Sequence, residues 1–124
     1  LTAFDPSQRR AVWSTEASSF HSPLIIKGLI IVMNNDGSII SFSGQTLSES
    51  WTNEEYLRRG LSNAAEHNGN IVFGDIEGYL HVINPLTGRT ISREKISSNP
   101  IRYVSSRGNH LFALDSKLRM IALD

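Results

Sequence analysis

The sequence lacks several features on which common protein functions depend. It has no cysteine, which excludes disulfides, thiolate metal sites and a thiol nucleophile. Its 12 basic and 12 acidic residues cancel, so no broad electrostatic field is available to hold a nucleic-acid backbone or an anionic membrane surface. The longest apolar runs, such as Leu29 to Met33, are far shorter than the roughly 20 residues of a membrane-spanning helix. A nucleic-acid partner and a membrane span are therefore both disfavoured.

The first residues also lack the features of a complete secreted protein. The chain begins with LTAFD, without a starting methionine, a basic region or an apolar signal region. We therefore expect these 124 residues to be a segment of a longer protein.

No arrangement of titratable residues matches a catalytic or metal-binding motif. The four histidines fall in three different repeats, and none belongs to H-E-x-x-H or another close pair: His21, His67, His81 and His110. Exposed or hydrogen-bonded strand histidines explain them better than a metal site does. Asp75 and Glu77 could form a carboxylate pair, but the chemistry of a turn explains them more simply. G-x-S-x-G, P-loop and Rossmann motifs are also missing, so we predict no enzymatic activity, no catalytic residue, no cofactor and no metal.

The most informative stretch runs from Gly69 to Arg89, GNIVFGDIEGYLHVINPLTGR. An apolar run at 71–73 has the length of a strand, and Glu77-Gly78 can form a tight reversal from which a second strand, 79–83, leaves. The segment 84–88 then reverses the chain again, because its proline presets φ and its glycine tolerates a left-handed exit. The stretch predicts two strands and two turns without a helix.

The same unit recurs along the chain. Counterparts begin at Gly28 and Gly108, at distances of 41 and 39 residues from Gly69. Trp13 and Trp51 recur in phase with these glycines, and we interpret them as packing between repeats rather than as a stacking platform for a quinone or a carbohydrate. A further short strand precedes each hairpin, at 22–26, 63–67 and 100–104. Each repeat therefore offers four short strands in about 40 residues.

Four strands in such a repeat form one blade of a β-propeller, a twisted antiparallel sheet that buries its faces only against neighbouring blades. We predict an all-β fold, a partial β-propeller of four-stranded antiparallel blades. Residues 1–16 end one blade, 20–58 and 61–98 form two blades, and 100–124 form an incomplete last blade. The open ring would expose two apolar blade faces, so the isolated segment is expected to self-associate or to be marginally stable.

One connection departs from the β pattern. Thr52 and Glu55 have the spacing of a capping box, and two glutamates precede two arginines by four residues, which matches helical ion pairing. These signals predict a helix of about two turns over 53–59, ended by Gly60. A solvated decoration is the simpler interpretation of this helix, and a protein contact is the alternative. The candidate contact residues are Tyr56, Arg58 and Arg59.

Three stretches together resemble a known repeat family: LTAFDPSQRRAVW, NGNIVFGDIEGYLHVINPLTGR and LFALDSKLRMIALD. They are similar to the PQQ-like propeller repeat and, more narrowly, to the C-terminal blades of the BamB family of outer-membrane lipoproteins. The resemblance covers essentially the whole chain, and its most specific part is Gly69 to Arg89.

The resemblance implies an eight-bladed scaffold on the periplasmic face of the bacterial outer membrane, lipid-anchored in the full-length protein. Such a protein would be a non-catalytic subunit of the outer-membrane β-barrel assembly (BAM) complex. It would bind the POTRA repeats of BamA and aid the delivery and insertion of unfolded outer-membrane proteins. The family's signal peptide, its lipid-bearing cysteine and the loops usually credited with BamA binding have no counterpart in this sequence, so no such residue can be assigned.

Two other functions are compatible with the same repeat. A quinone (PQQ)-dependent dehydrogenase would need a quinone, a Ca²⁺ held by Glu and Asn, and a catalytic Asp, and the sequence shows no such cluster. A propeller adaptor in another pathway would use the same blades, and the sequence leaves this alternative open.

Overall fold

The computed structural model describes residues 2–5 and 10–14 as backbone and residues 23–123 with their side chains. This part of the chain contains β-strands and turns and no helix. The strands are β1 (Thr2–Asp5), β2 (Arg10–Ser14), β3 (Leu24–Ile26), β4 (Leu29–Met33), β5 (Ile39–Ser43), β6 (Glu49–Asn53), β7 (Ala65–His67), β8 (Asn70–Gly74), β9 (Tyr79–Ile83), β10 (Thr90–Lys95), β11 (Ile101–Arg107), β12 (His110–Asp115) and β13 (Met120–Leu123).

The strands form four antiparallel sheets that follow one another along the chain. β1 pairs with β2, sheet I has the order β3-β4-β5-β6, sheet II has the order β10-β9-β8-β7, and sheet III has the order β11-β12-β13. Within each sheet, the strands that pair are consecutive in the chain, as expected for tight turns between short strands. The prediction of an all-β fold with four-stranded antiparallel sheets is confirmed.

The last strand pair of three sheets carries the same irregularity. One additional residue interrupts the pairing of β1 with β2, of β5 with β6 and of β9 with β10, at Val12, Ser50 and Ile91. A bulge of this kind increases the local twist of the sheet. The repeat seen in the sequence is therefore also a repeat of backbone geometry.

Sheet II has an apolar core on each of its faces. Ile71 and Phe73 of β8 join a buried cluster that includes Ile31 and Ile39 of sheet I. Val72, which lies between them in sequence, joins a second cluster with residues of sheet III such as Val104. Successive side chains of a strand point to opposite faces, so an unbroken apolar run can serve two cores.

Side chains also join neighbouring sheets by hydrogen bonds. The Trp51 indole Nε1 donates to the Pro85 carbonyl at 2.8 Å, and Asn53 Nδ2 donates to the Gly88 carbonyl at 2.7 Å. Asn63 Nδ2 donates to the carbonyl of Val104, and the Val104 N–H donates to Asn63 Oδ1, both at 2.9 Å. The prediction that Trp51 packs between repeats is confirmed; the side chain of Trp13 lies outside the described residues.

The helix predicted over 53–59 is wrong. β6 continues to Asn53, and residues 55–58 form a turn. Asn53 Oδ1, rather than the Thr52 hydroxyl, accepts the Glu55 N–H at 2.7 Å. Arg58 has a φ of 63°, which a right-handed helix does not allow. The reason is packing: Tyr56 is drawn into the core, and its burial outweighs a helix cap worth about 1 kcal/mol.

Sheet III leaves one apolar face without a neighbour in the described part of the chain. This outer face is formed by Tyr103, Phe112, Leu114 and Met120, which line an open cleft of about 400 Å³. The exposed fractions of Tyr103 and Met120 are 53% and 69%.

Among the described residues, no helix has the length and hydrophobicity to cross a membrane.

Candidate interaction site

The connection between sheets I and II, residues 54–62, is here called the linker turn. Backbone hydrogen bonds hold it to both sheets. The Arg58 N–H donates to the Asp36 carbonyl at 2.8 Å, and the Ile76 N–H donates to the Arg59 carbonyl at 2.9 Å. The Ser62 N–H donates to the carbonyl of Gly74 at 2.8 Å. The linker turn is thus part of the ordered framework and not a solvated decoration.

Tyr56 anchors the linker turn in the core. Its side chain is fully buried, its ring lies 5.0 Å from that of Phe73 in an edge-to-face arrangement, and the His81 ring lies 4.6 Å away. The Tyr56 hydroxyl forms a hydrogen bond with the Thr90 hydroxyl. Burial raises the pKa of the Tyr56 phenol, although the bond to Thr90 opposes this effect. Tyr56 is therefore a core residue, and the prediction that it contacts a partner is corrected.

Arg59 reaches a buried carboxylate in sheet II. Asp75 is fully buried, and its Oδ2 lies 3.3 Å from Arg59 Nη1 and 2.7 Å from His81 Nε2. Its Oδ1 accepts the backbone N–H groups of Glu77 and Tyr79 at 2.9 and 3.0 Å. Four donors on one buried carboxylate satisfy its hydrogen-bonding capacity and compensate for its removal from water.

The protonation states of this cluster follow from its surroundings. Burial alone would raise the pKa of Asp75, but hydrogen bonds from His81 and from the turn backbone hold that pKa below its usual value. Burial lowers the pKa of His81, although its bond to Asp75 opposes this. At neutral pH Asp75 is therefore an anion and His81 is neutral. Because the carboxylate can only accept, His81 donates through Nε2, and its Nδ1 has no partner among the described residues.

The solvent-facing side of the linker turn combines apolar and cationic groups. Leu57 is 41% exposed and Ile76, which is bonded to the turn, is 50% exposed. Arg58 is exposed, and no described side chain pairs with its guanidinium. Glu55, by contrast, pairs with Arg93 at 2.9 Å. This surface can bind a protein by apolar contact and a charged hydrogen bond.

The remaining titratable residues singled out from the sequence do not gather into a site. His67 is buried and shares a 2.7 Å hydrogen bond with Ser106, whereas His110 is exposed. His21 lies outside the described residues. Glu77 is exposed while Asp75 is buried, so these two acids do not share an environment. Within the described ranges, no group of three or more His, Asp or Glu residues could hold a metal ion.

The Asp75–His81 pair was missed by the sequence analysis. The pair is separated by six residues across a hairpin, a distance typical of no catalytic or metal motif. One signal was present, because His81 stands inside the apolar strand YLHVI. A buried polar side chain needs a hydrogen-bond partner, and Asp75, which directly follows the preceding strand of the same hairpin, could supply one.

Comparisons with a family model and with curated proteins point to the same family. A family model described as "Outer membrane protein assembly factor BamB" matches residues 1–124. A protein with the same description from Pseudomonas aeruginosa is 35% identical over 100 residues, which cover 81% of this chain and 26% of the relative. Another, from Escherichia coli strain K12, is 32% identical over 102 residues, covering 80% of this chain and 25% of the relative. The chain thus spans about a quarter of the length of these curated relatives.

Solved structures agree with this result. The crystal structure of BamB from Moraxella catarrhalis superposes with a TM-score of 0.85 at 25% identity, covering 96% of this chain and 36% of that one. The β-propeller domain of Cps50 (Swd1) from Myceliophteria thermophila gives a TM-score of 0.71 at 7% identity, covering 89% of this chain and 37% of the other. The second likeness concerns the fold alone. Together they confirm the predicted partial β-propeller.

Proposed function

The chain belongs to the BamB family of outer membrane protein assembly factors, and from this we propose that it is part of a non-catalytic scaffold subunit of the β-barrel assembly (BAM) complex. In this role it binds the POTRA repeats of BamA and aids the delivery and insertion of unfolded outer-membrane proteins. The full-length protein works at the periplasmic face of the outer membrane, held there by a lipid anchor.

The chemistry of the described residues supports a binding role rather than a catalytic one. The buried cluster Arg59–Asp75–His81 lies where the linker turn meets sheet II, and its carboxylate is saturated by donors from the protein itself. A carboxylate with four internal donors has no free lone pair for a substrate or a metal. The cluster therefore stabilises the linker turn.

One observation carries the proposed contact: the exposed Arg58 is held in a left-handed backbone conformation with no described side chain to pair with it. A residue with a Cβ adopts this conformation only where its surroundings impose it, and such positions concentrate at functional sites. Leu57 beside it supplies an exposed apolar group. Arginine is among the residues enriched at the energetic centres of protein interfaces. We assign the contact to Arg58, with Arg59 as its structural support.

The proposal is tested by measuring the affinity of the purified POTRA repeats of BamA for the full-length protein, expressed from its complete gene. Arg58→Ala should weaken binding about tenfold, as expected for an arginine near the centre of an interface. Arg102→Ala is the matched control, because Arg102 is also an exposed arginine but belongs to β11 of sheet III and not to the linker turn. An unchanged affinity for Arg58→Ala, or an equal loss for both variants, would contradict the assigned contact. Absence of binding by the unmodified protein would contradict the proposed function itself.

A further inference from the structure

Sheets II and III use the same arrangement where their second strand, β8 or β12, ends and a hairpin turn begins. Asp75 and Asp115 are both buried, and each follows the last apolar residue of that strand by one or two positions. Oδ1 of each accepts the backbone N–H groups two and four residues later, at 2.9 and 3.0 Å in both cases. One carboxylate oxygen therefore closes the hairpin turn, which leaves the other oxygen for a different segment.

The second oxygen holds the segment that leads into the sheet. In sheet III, Asp115 Oδ2 accepts from two neutral donors of the incoming segment, Ser97 Oγ at 3.0 Å and Asn99 Nδ2 at 3.4 Å. The same oxygen lies 3.5 Å from Nε of Arg119, which belongs to the hairpin turn itself. In sheet II, Asp75 Oδ2 meets the guanidinium of Arg59 at 3.3 Å. Both carboxylates fasten the segment that leads into their sheet, but of these two segments only the linker turn contributes a charged partner.

The Arg59–Asp75 pair lies directly beside Arg58 in sequence, which is exposed and has an unfavourable backbone conformation. Arg58 has a φ of 63° and Gly60 has a φ of 61°, so the chain turns left-handed on both sides of Arg59. The Arg58 N–H is bound to sheet I through the Asp36 carbonyl. Arg59 is bound to sheet II through its carbonyl and its side chain. A left-handed conformation in a residue with a Cβ persists only when its neighbours are fixed.

We propose that Asp75 is a positioning residue, which fixes Arg59 and thereby the backbone conformation that presents Arg58 and Leu57 to the partner protein. His81 assists by donating to the same carboxylate oxygen at 2.7 Å, which restrains the carboxylate beside Arg59. The presentation of Arg58 rests on the function proposed above. The fastening of the linker turn by Asp75 does not, and it can be measured without any partner.

The test compares Asp75→Asn with Asp115→Asn in the protein expressed from its own gene, with folding checked by circular dichroism. The first readout is the rate at which trypsin cleaves after Arg58, followed by mass spectrometry. Asp75→Asn should raise this rate about tenfold because local opening of the turn becomes easier. It should also weaken binding to the POTRA repeats of BamA about fivefold, because the contact surface is no longer preorganised. Asp115→Asn should change neither quantity.

A second pair of variants addresses the linker side of the same contact. Arg59→Gln should reproduce the effects of Asp75→Asn, whereas Arg59→Lys keeps a cation within reach of the carboxylate and should restore slow cleavage and tight binding. Arg59→Gln also decides the matter if Asp75→Asn does not fold. A purely stabilising role for the pair would change the melting temperature without changing cleavage after Arg58 more than cleavage elsewhere.

The possible outcomes separate the two proposals. Faster cleavage together with weaker binding supports the inference. Cleavage and binding that are both unchanged in folded Asp75→Asn overturn it, and faster cleavage with unchanged binding overturns the presentation of Arg58. If the unmodified protein does not bind the POTRA repeats, the proposed function fails, and the cleavage rate alone still decides whether Asp75 fastens the linker turn.

Discussion

Asn63 is the residue at which sheets II and III can be separated by one substitution. Its amide group donates to the Val104 carbonyl and accepts the Val104 N–H, both at 2.9 Å, as a neighbouring strand would. Val104 is 1% exposed, so water does not readily replace either bond. Asn63→Ala leaves one buried donor and one buried acceptor without partners, which should lower the free energy of unfolding by about 2 to 4 kcal/mol.

Urea unfolding followed by circular dichroism measures this loss. Asn63→Asp should be at least as harmful, because a carboxylate cannot donate to the Val104 carbonyl and places a negative charge beside it. Asn109→Ala provides the control, since Asn109 is an exposed residue of the same type in the turn before β12. A loss for Asn63→Ala below about 0.5 kcal/mol, no larger than that of an ordinary surface substitution, would refute the reasoning.

Three further predictions concern charge, space and the outer face of sheet III. In the folded chain the pKa values of Asp75 and His81 both lie below their ordinary values. As the pH falls, the unfolded chain therefore binds more protons than the folded chain, and the free energy of unfolding should decrease. The decrease should begin with His81, below its ordinary pKa of 6.5. Urea midpoints between neutral pH and about pH 5 measure this, and His81→Gln should flatten the decrease. Gly88→Ala should cost about 1 to 3 kcal/mol more than Gly108→Ala, because both glycines have a positive φ but only at position 88 would a Cβ lie 2.5 Å from an indole ring; equal losses would contradict this. Light scattering on the isolated 124-residue chain should show concentration-dependent association that Phe112→Glu reduces, and a stable monomer at all concentrations would argue against an adhesive outer face.

The repeated hairpins could be predicted because their signals are local. The apolar run at 71–73 and the strand at 79–83 are found in β8 (Asn70–Gly74) and β9 (Tyr79–Ile83). Gly78 has a φ of 89°, which is the left-handed conformation expected at the tight reversal. Each of these features depends on residues a few positions apart. The regular spacing then extended a local prediction to the whole chain.

The linker turn could not be predicted from neighbouring residues. Its capping and ion-pair spacing indicated a helix, but these effects are worth about 1 kcal/mol or less. Burial of an aromatic side chain such as that of Tyr56 contributes about 1.5 to 3 kcal/mol. Its partners are distant in sequence: the ring packs on Phe73, and the hydroxyl bonds to Thr90, 34 residues later. The glutamate at 55 was assigned to helical pairing and instead pairs with Arg93, 38 residues away. Contacts between residues so far apart in sequence produce no local pattern from which they could be predicted.

The candidate contact was predicted only as a group of residues. Nothing in the sequence separates Arg58 from Arg59, since both follow the same helix signals. The structure separates them, because Arg59 meets Asp75, 16 residues away, while Arg58 remains exposed. Asp75 itself was interpreted as a turn residue, which describes one of its oxygens and not the other. Which oxygen serves which segment depends on how the sheets stack.

The carboxylates that close the hairpins of sheets II and III have a consequence for the order of folding during synthesis. Asp75 receives its linker donor from position 59, and Asp115 receives its own from positions 97 and 99. In both cases the donor leaves the ribosome before the acceptor does. Each blade can therefore complete this junction as soon as its hairpin emerges, without waiting for residues that have yet to be translated.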